Sequence, residues 1–292
     1  MIHHIDFNSF FKSALAIVCL TLFLCTTVAA QNPLLPSHRI VGYYGNFNSK
    51  KMGVLGEYPP DQVLKMLRNE VAKWEAADPS KSVIPAINYI AVVAHQDAGK
   101  DGNFNGRMSD QQIQKAISMA NQVNGIAILD VQVGLSSVRT EVPLLASHLA
   151  LPNVMLGLDP EFDMYSGKQP GTVIGTTDAA DINYAANYLA EIVRKNNLPP
   201  KILIVHRFTQ RMITNAHLIK PLPEVQIIIN MDGWGPTSLK QDSYRAYVAA
   251  EPVQYTGIKL FYKNDLKPPS KGLMTPAQIL KLNPVPLYIL YQ

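Results

Sequence analysis

Asp159 and Glu161 stand one residue apart at the end of the apolar run Val154-Met155-Leu156-Gly157-Leu158, with Pro160 between them. Two carboxyl groups at close range push their pKa values apart, so one keeps its proton at neutral pH while the other ionises. Glycoside hydrolysis uses such a pair. An apolar run of this length, bounded by turn residues, reads as a strand covered on both faces. Alternation along it would put Met155, Gly157, Asp159 and Glu161 on one face, and Leu156 and Leu158 on the other. Pro160 fixes its own φ and holds Asp159 extended.

The same arrangement recurs along the chain: an apolar body, then polar residues at its carboxyl end. The first such strand spans 39–45 and carries Tyr43 and Tyr44. The second, 87–94, runs into His95 and Asp97. The third, 125–133, carries Asp130 and Gln132, and the Asp159 strand is the fourth. The fifth, 201–205, ends in His206 and Arg207. The sixth, 225–229, leads to Asn230, Asp232 and Trp234. The seventh, 256–262, ends at Lys263 and Asp265, and an eighth covers 285–290, before Tyr291.

Helical spacing fills the intervals. Leu64, Leu67, Val71 and Trp74 form one buried stripe, and Ile113, Ala116, Ile117 and Ala120 another. Ser109 with Gln112 has capping-box spacing, and Asp178 caps a helix with Ile182, Ala185, Ala186, Leu189 and Val193 on one side. Further helices are expected at 142–149, at Met212 and Ile213, around Tyr244 to Val248, and from Thr275. Strands each followed by a helix, except the last, predict an α/β fold: a single-domain (β/α)8 TIM barrel with the final helix missing. The lead-in 31–38 would cover part of that gap. An open doubly wound sheet is the rival architecture. In a barrel all the polar strand ends converge on one mouth.

At that mouth Glu161 and Asp159 are the leading catalytic candidates, with Asp130 and Asp232 in support. Tyr43, Tyr44, His95, Asp97, Gln132, His206, Arg207, Asn230, Trp234 and Lys263 are the expected lining. Trp234 and the tyrosines suit the apolar C–H faces of sugars. His95, Asp97 and His206 could join the acids around a metal ion, but no His-x-His or His-Glu-x-x-His spacing is present, so no metal is expected. Asp101-Gly102-Asn103-Phe104-Asn105-Gly106 matches the first half of a calcium loop, yet Gln112 stands where its glutamate belongs. No Gly-rich phosphate loop follows a strand, so no organic cofactor is expected.

Ala14 to Leu24 is apolar, and Val28-Ala29-Ala30 offers small residues for cleavage, so residues 1–30 read as a signal peptide and 31–292 as the barrel domain. Secreted or periplasmic localisation follows; a retained N-terminal anchor is the alternative. The 2 cysteines, Cys19 and Cys25, both lie in that segment. The mature chain therefore has no disulfide and no thiolate, and depends on a large core. No later stretch is long enough to span a membrane, and a net charge of +4 without a Lys/Arg block gives nucleic-acid binding no support.

Ile40 to Gly45, Ile87-Asn88-Tyr89 and Leu158-Asp159-Pro160-Glu161 resemble the first, second and fourth strands of the family-eighteen, chitinase-type glycoside hydrolases. That resemblance implies a barrel in which Glu161 donates the proton and Asp159 orients the substrate's own N-acetyl group as nucleophile. Gly157 and Val154 replace two earlier aspartates of the family's signature, and Met231 stands where its sixth-strand tyrosine is expected. The expected function is carboxylate-catalysed cleavage of a polysaccharide or glycan. A non-catalytic glycan-binding barrel and a metal-dependent hydrolase are the alternatives.

Overall fold

In a computed structural model of the protein, which describes Met1 and residues 32–292, eight parallel strands close into a barrel. The signal peptide expected over 1–30 lies, Met1 aside, outside the described residues. The strands are Arg39–Gly45, Val83–Ala94, Ile126–Val131, Val154–Leu158, Lys201–Arg207, Val225–Met231, Tyr255–Leu260 and Tyr288–Tyr291. Each pairs in parallel with the next, and the first pairs with both the second and the eighth. The ring therefore has no open edge, which removes the open-sheet rival.

Burial on two faces explains the continuous apolar runs. Ile40, Ile90, Ile128, Met155, Ile204, Ile228 and Leu290 pack together inside the barrel. Val41, Ile87, Leu129, Leu156, Leu203, Ile227 and Ile289 face outward into the helical layer. The helix Pro60–Ala77 presses Leu64, Leu67 and Trp74 onto that layer, and Trp74 Nε1 donates to Tyr291 Oη at 3.0 Å. The capping box at Ser109 opens Asp110–Asn121, Asp178 caps Ala179–Asn196, and Thr275 with Gln278 opens Pro276–Ile279.

Three expectations need correction. No α-helix follows the fifth strand: Met212 lies in one short 3-10 turn, Gln210–Met212, and a second, Ala216–Leu218, follows it. The helix expected at 142–149 starts at Val138 and passes through a 3-10 segment, Val142–Leu145, that contains Pro143. The lead-in does not cover the outside of the barrel. Leu35 enters its amino end, where the Gln226 side chain donates to the Leu35 carbonyl (2.7 Å) and accepts from its N–H (3.1 Å).

At the same end Lys201 is fully buried, and its Nζ donates to the main-chain oxygens of Leu151, Pro152 (3.4 Å) and Val154 (2.9 Å). Lys201→Met would leave those carbonyls without a donor. We expect it to cost about 1–3 kcal/mol, read as a lower urea midpoint at unchanged slope.

Candidate active site

A cavity of about 540 Å³ opens at the carboxyl ends of the strands. Tyr44, Gln132, Asp159, Glu161, Asp232 and Trp234 all line it. Alternation delivers Tyr44 from the first strand and Asp159 from just past the fourth. Glu161 arrives differently from its expectation. The fourth strand ends at Leu158, and Glu161 sits half-buried in the 3-10 turn Pro160–Phe162. Pro160 forces that turn, since it has no N–H with which to continue the ladder.

Gln132 fixes the neighbourhood of Asp159. Its Nε2 lies 3.1 Å from Asp159 Oδ2 and 3.3 Å from Tyr44 Oη, and its carbonyl accepts from Ala94 N at 3.1 Å. Below the cavity, His206 is fully buried between two acids: Nε2 is 3.4 Å from Asp130 Oδ2 and Nδ1 is 3.2 Å from Asp232 Oδ2. Lys259, from the seventh strand, pairs with Asp232 Oδ1 at 2.9 Å and lies 3.6 Å from the centre of the Tyr44 ring.

These contacts sort the carboxyl groups. Burial, helped by Asp159 and Asp232, pushes Glu161 up to about 8. Burial pushes Asp159 up to about 7; His206 pulls against it, while Asp232 and Asp130 add to it. Burial would raise Asp232 as well, but Lys259 and His206 overcome it and hold that carboxyl below its ordinary range. Burial alone would lower His206; Asp130 and Asp232 reverse this and carry the imidazole to about 10. At neutral pH the cavity thus presents a protonated Glu161 and an ionised Asp232, two carboxyl groups in the opposite states that acid catalysis requires.

Gly157 makes room for this layout. A Cβ there would lie 2.2 Å from Asp130 Oδ1, so the third-strand acid leans over the fourth strand at the glycine.

Several expected lining residues are elsewhere. Tyr43 faces the helical layer, its Oη 3.2 Å from that of Tyr262. Arg207 also points outward and bonds Glu251 (2.6 Å) and the Gln210 carbonyl (3.0 Å). Asp97 is exposed and accepts from Gly99 N, and Lys263 pairs with Glu57 at 2.7 Å on the surface. His95 packs against Gly106 and is absent from the cavity lining. Asn230 and Asp130 are buried beneath the lining, the Asn230 amide 3.1 Å from His206 Nδ1. Among the described residues, no three His, Cys, Asp or Glu side chains are grouped as a metal ion would require.

Lys259 and Lys240 line the cavity unforeseen. Lys259 had a signal: it is a lone charge inside the run Gly257-Ile258-Lys259-Leu260, in phase with Gly257. Lys240 had none, since a helical lysine is ordinarily solvated. Here it is buried, pairs with Asp265 at 3.1 Å and donates to the Gly233 carbonyl at 2.7 Å.

No family model matches the chain, and no curated protein is similar to it. Among solved structures, a cellulase superposes with TM-score 0.49 at 11% identity, covering 88% of this chain and 75% of the other. The clostridial cellulose synthase subunit Z of Clostridioides difficile gives 0.39 at 11% identity, over 88% and 91%. A GH18 chitinase from Pseudoalteromonas aurantia gives 0.29 at 9%, over 87% and 94%. The architecture of this chain rests on its own strand pairing.

Two outcomes are expected. Gly157→Ala forces Asp130 aside and should cost about 1–3 kcal/mol in chemical denaturation. Stability should also fall as pH rises. Glu161 shifts from 4.5 to about 8 on folding, so the native state binds more protons across that window. His206, raised from 6.5 to about 10, acts in the same direction at higher pH. Burial pulls Lys201 down to about 7 and Lys240 to about 8, which opposes His206 above neutral pH, so the thermal midpoint should decline between roughly pH 5 and 7, and Glu161→Gln should flatten that decline.

Proposed function

We propose that this protein is an exported glycoside hydrolase acting on a polysaccharide or glycan. Glu161 is its proton donor, Asp159 its modulator, and Asp232 and Asp130 the supporting acids. The observation that carries the reading is Glu161, held protonated in a cavity that it shares with Asp159 and an ionised Asp232. Glu161 gives its proton to the leaving glycosidic oxygen. As that bond breaks, positive charge grows on the sugar ring; water then adds to the anomeric carbon, and the proton it loses restores Glu161. Tyr44 and Trp234, both on the cavity wall, offer ring faces to the sugar. The apolar stretch Ala14 to Leu24 followed by Val28-Ala29-Ala30 supports export.

One feature supports a second reading, a barrel that binds glycan without cutting it. Met231 packs in the outer layer and its sulfur lies 3.2 Å from Gly233 N, so this position brings no hydroxyl to the cavity. Substrate-assisted chemistry of the chitinase type would lack that group.

Turnover separates the two readings. The mature protein is offered chitin, peptidoglycan and plant glycans, with Glu161→Gln beside it. Hydrolysis should fall at least about 100-fold in the variant while binding persists. The wild-type rate should drop as pH rises through about 8, where Glu161 loses its proton. Binding without any cleavage, equal in both proteins, would favour the second reading.

A further inference from the structure

His206 is fully buried on the inner face of the fifth strand, beneath the cavity and outside its lining. Every neighbouring strand end turns something toward it. The Tyr44 ring stands edge-on with its centre 6.1 Å away. Asp130 and Asp232 flank the imidazole at 3.4 and 3.2 Å. Lys259 reaches the far side of Asp232 at 2.9 Å. Asp159 feels the charge of His206 more strongly than that of any other group. Tyr288 is held neutral by burial and by the same two aspartates.

Four carboxyl groups thus share this region with two cations. Uncompensated charge is costly to bury, so protons must offset what the cations do not. Both cations contact Asp232, and His206 also contacts Asp130. Among the described residues, neither Asp159 nor Glu161 has an ion pair. We infer that His206 is the positioning residue of the site: wedged between Asp130 and Asp232, it offsets their charge and so keeps the protons on Asp159 and Glu161 exchangeable near neutral pH. The inference rests on the hydrolase reading but names a residue that substrate does not reach.

A titration without substrate tests it. The mature protein is labelled with 13C at the Asp and Glu side-chain carboxyls, and the signals are followed by NMR against pH. Asp159→Asn and Glu161→Gln identify the two resonances. In His206→Gln both groups should titrate about one unit or more higher than in wild type. Asp130→Asn removes a negative charge and should move Asp159 the other way. A folded His206→Gln protein in which neither carboxyl shifts would overturn the inference. Should that variant not fold, the 15N signals of the His206 ring in the wild type decide: an imidazolium that persists to pH 8 supports the inference, and a ring that is neutral at pH 7 sinks it. Ordinary titration of Glu161 in the wild type would remove the proton-donor reading itself; elevated titration that ignores both substitutions would remove only the role of His206.

Discussion

Charge neutrality in a dry space governs this site. Closing the barrel brings Asp130, Asp159 and Asp232 to one end of an interior packed mainly by isoleucine, leucine, methionine and tyrosine. In such surroundings an unpaired carboxylate costs several kcal/mol, so each acid needs a cation, a proton or a ring of donors. Lys259 and His206 supply the cations, and Gln132 supplies a donor to Asp159. Glu161, half-buried in its 3-10 turn, keeps a proton instead. The difference between an acid that donates and one that stays ionised is therefore set by which neighbour each can reach.

The barrel was legible because burial on two faces leaves a plain signature, apolar runs such as Lys201 to Val205 and Val225 to Ile229 with polar residues at one end only. Parity was the weak point. Tyr43 and Tyr44 are adjacent tyrosines, and composition does not say which one faces in; the register places Tyr44 inside and Tyr43 against Tyr262. His206 and Arg207 pose the same choice, and the arginine goes outward to Glu251. Strand ends were hidden where a proline sits within a strand: the second begins at Val83 and runs through Pro85. Lys240 was invisible because its partners, Asp265 and the Gly233 carbonyl, come from other loops.

Two positions set the shape of the cavity floor and its rim, Gly157 and Met231. The fourth strand carries glycine at position 157, where that pattern has an aspartate, and the vacated volume is filled by Asp130 from the neighbouring strand. The Met231 side chain belongs to the outer core. Tyr44, whose hydroxyl lies 3.3 Å from Gln132 Nε2, brings a phenol to the cavity from the opposite side of the sequence.

Leu35 has a consequence for traffic. Held by Gln226 at the amino end, it stoppers the barrel axis, and the packed layer from Ile40 to Leu290 lies above it. Below the cavity the barrel interior is filled by packed side chains. Whatever enters past Trp234 leaves at the same end of the barrel.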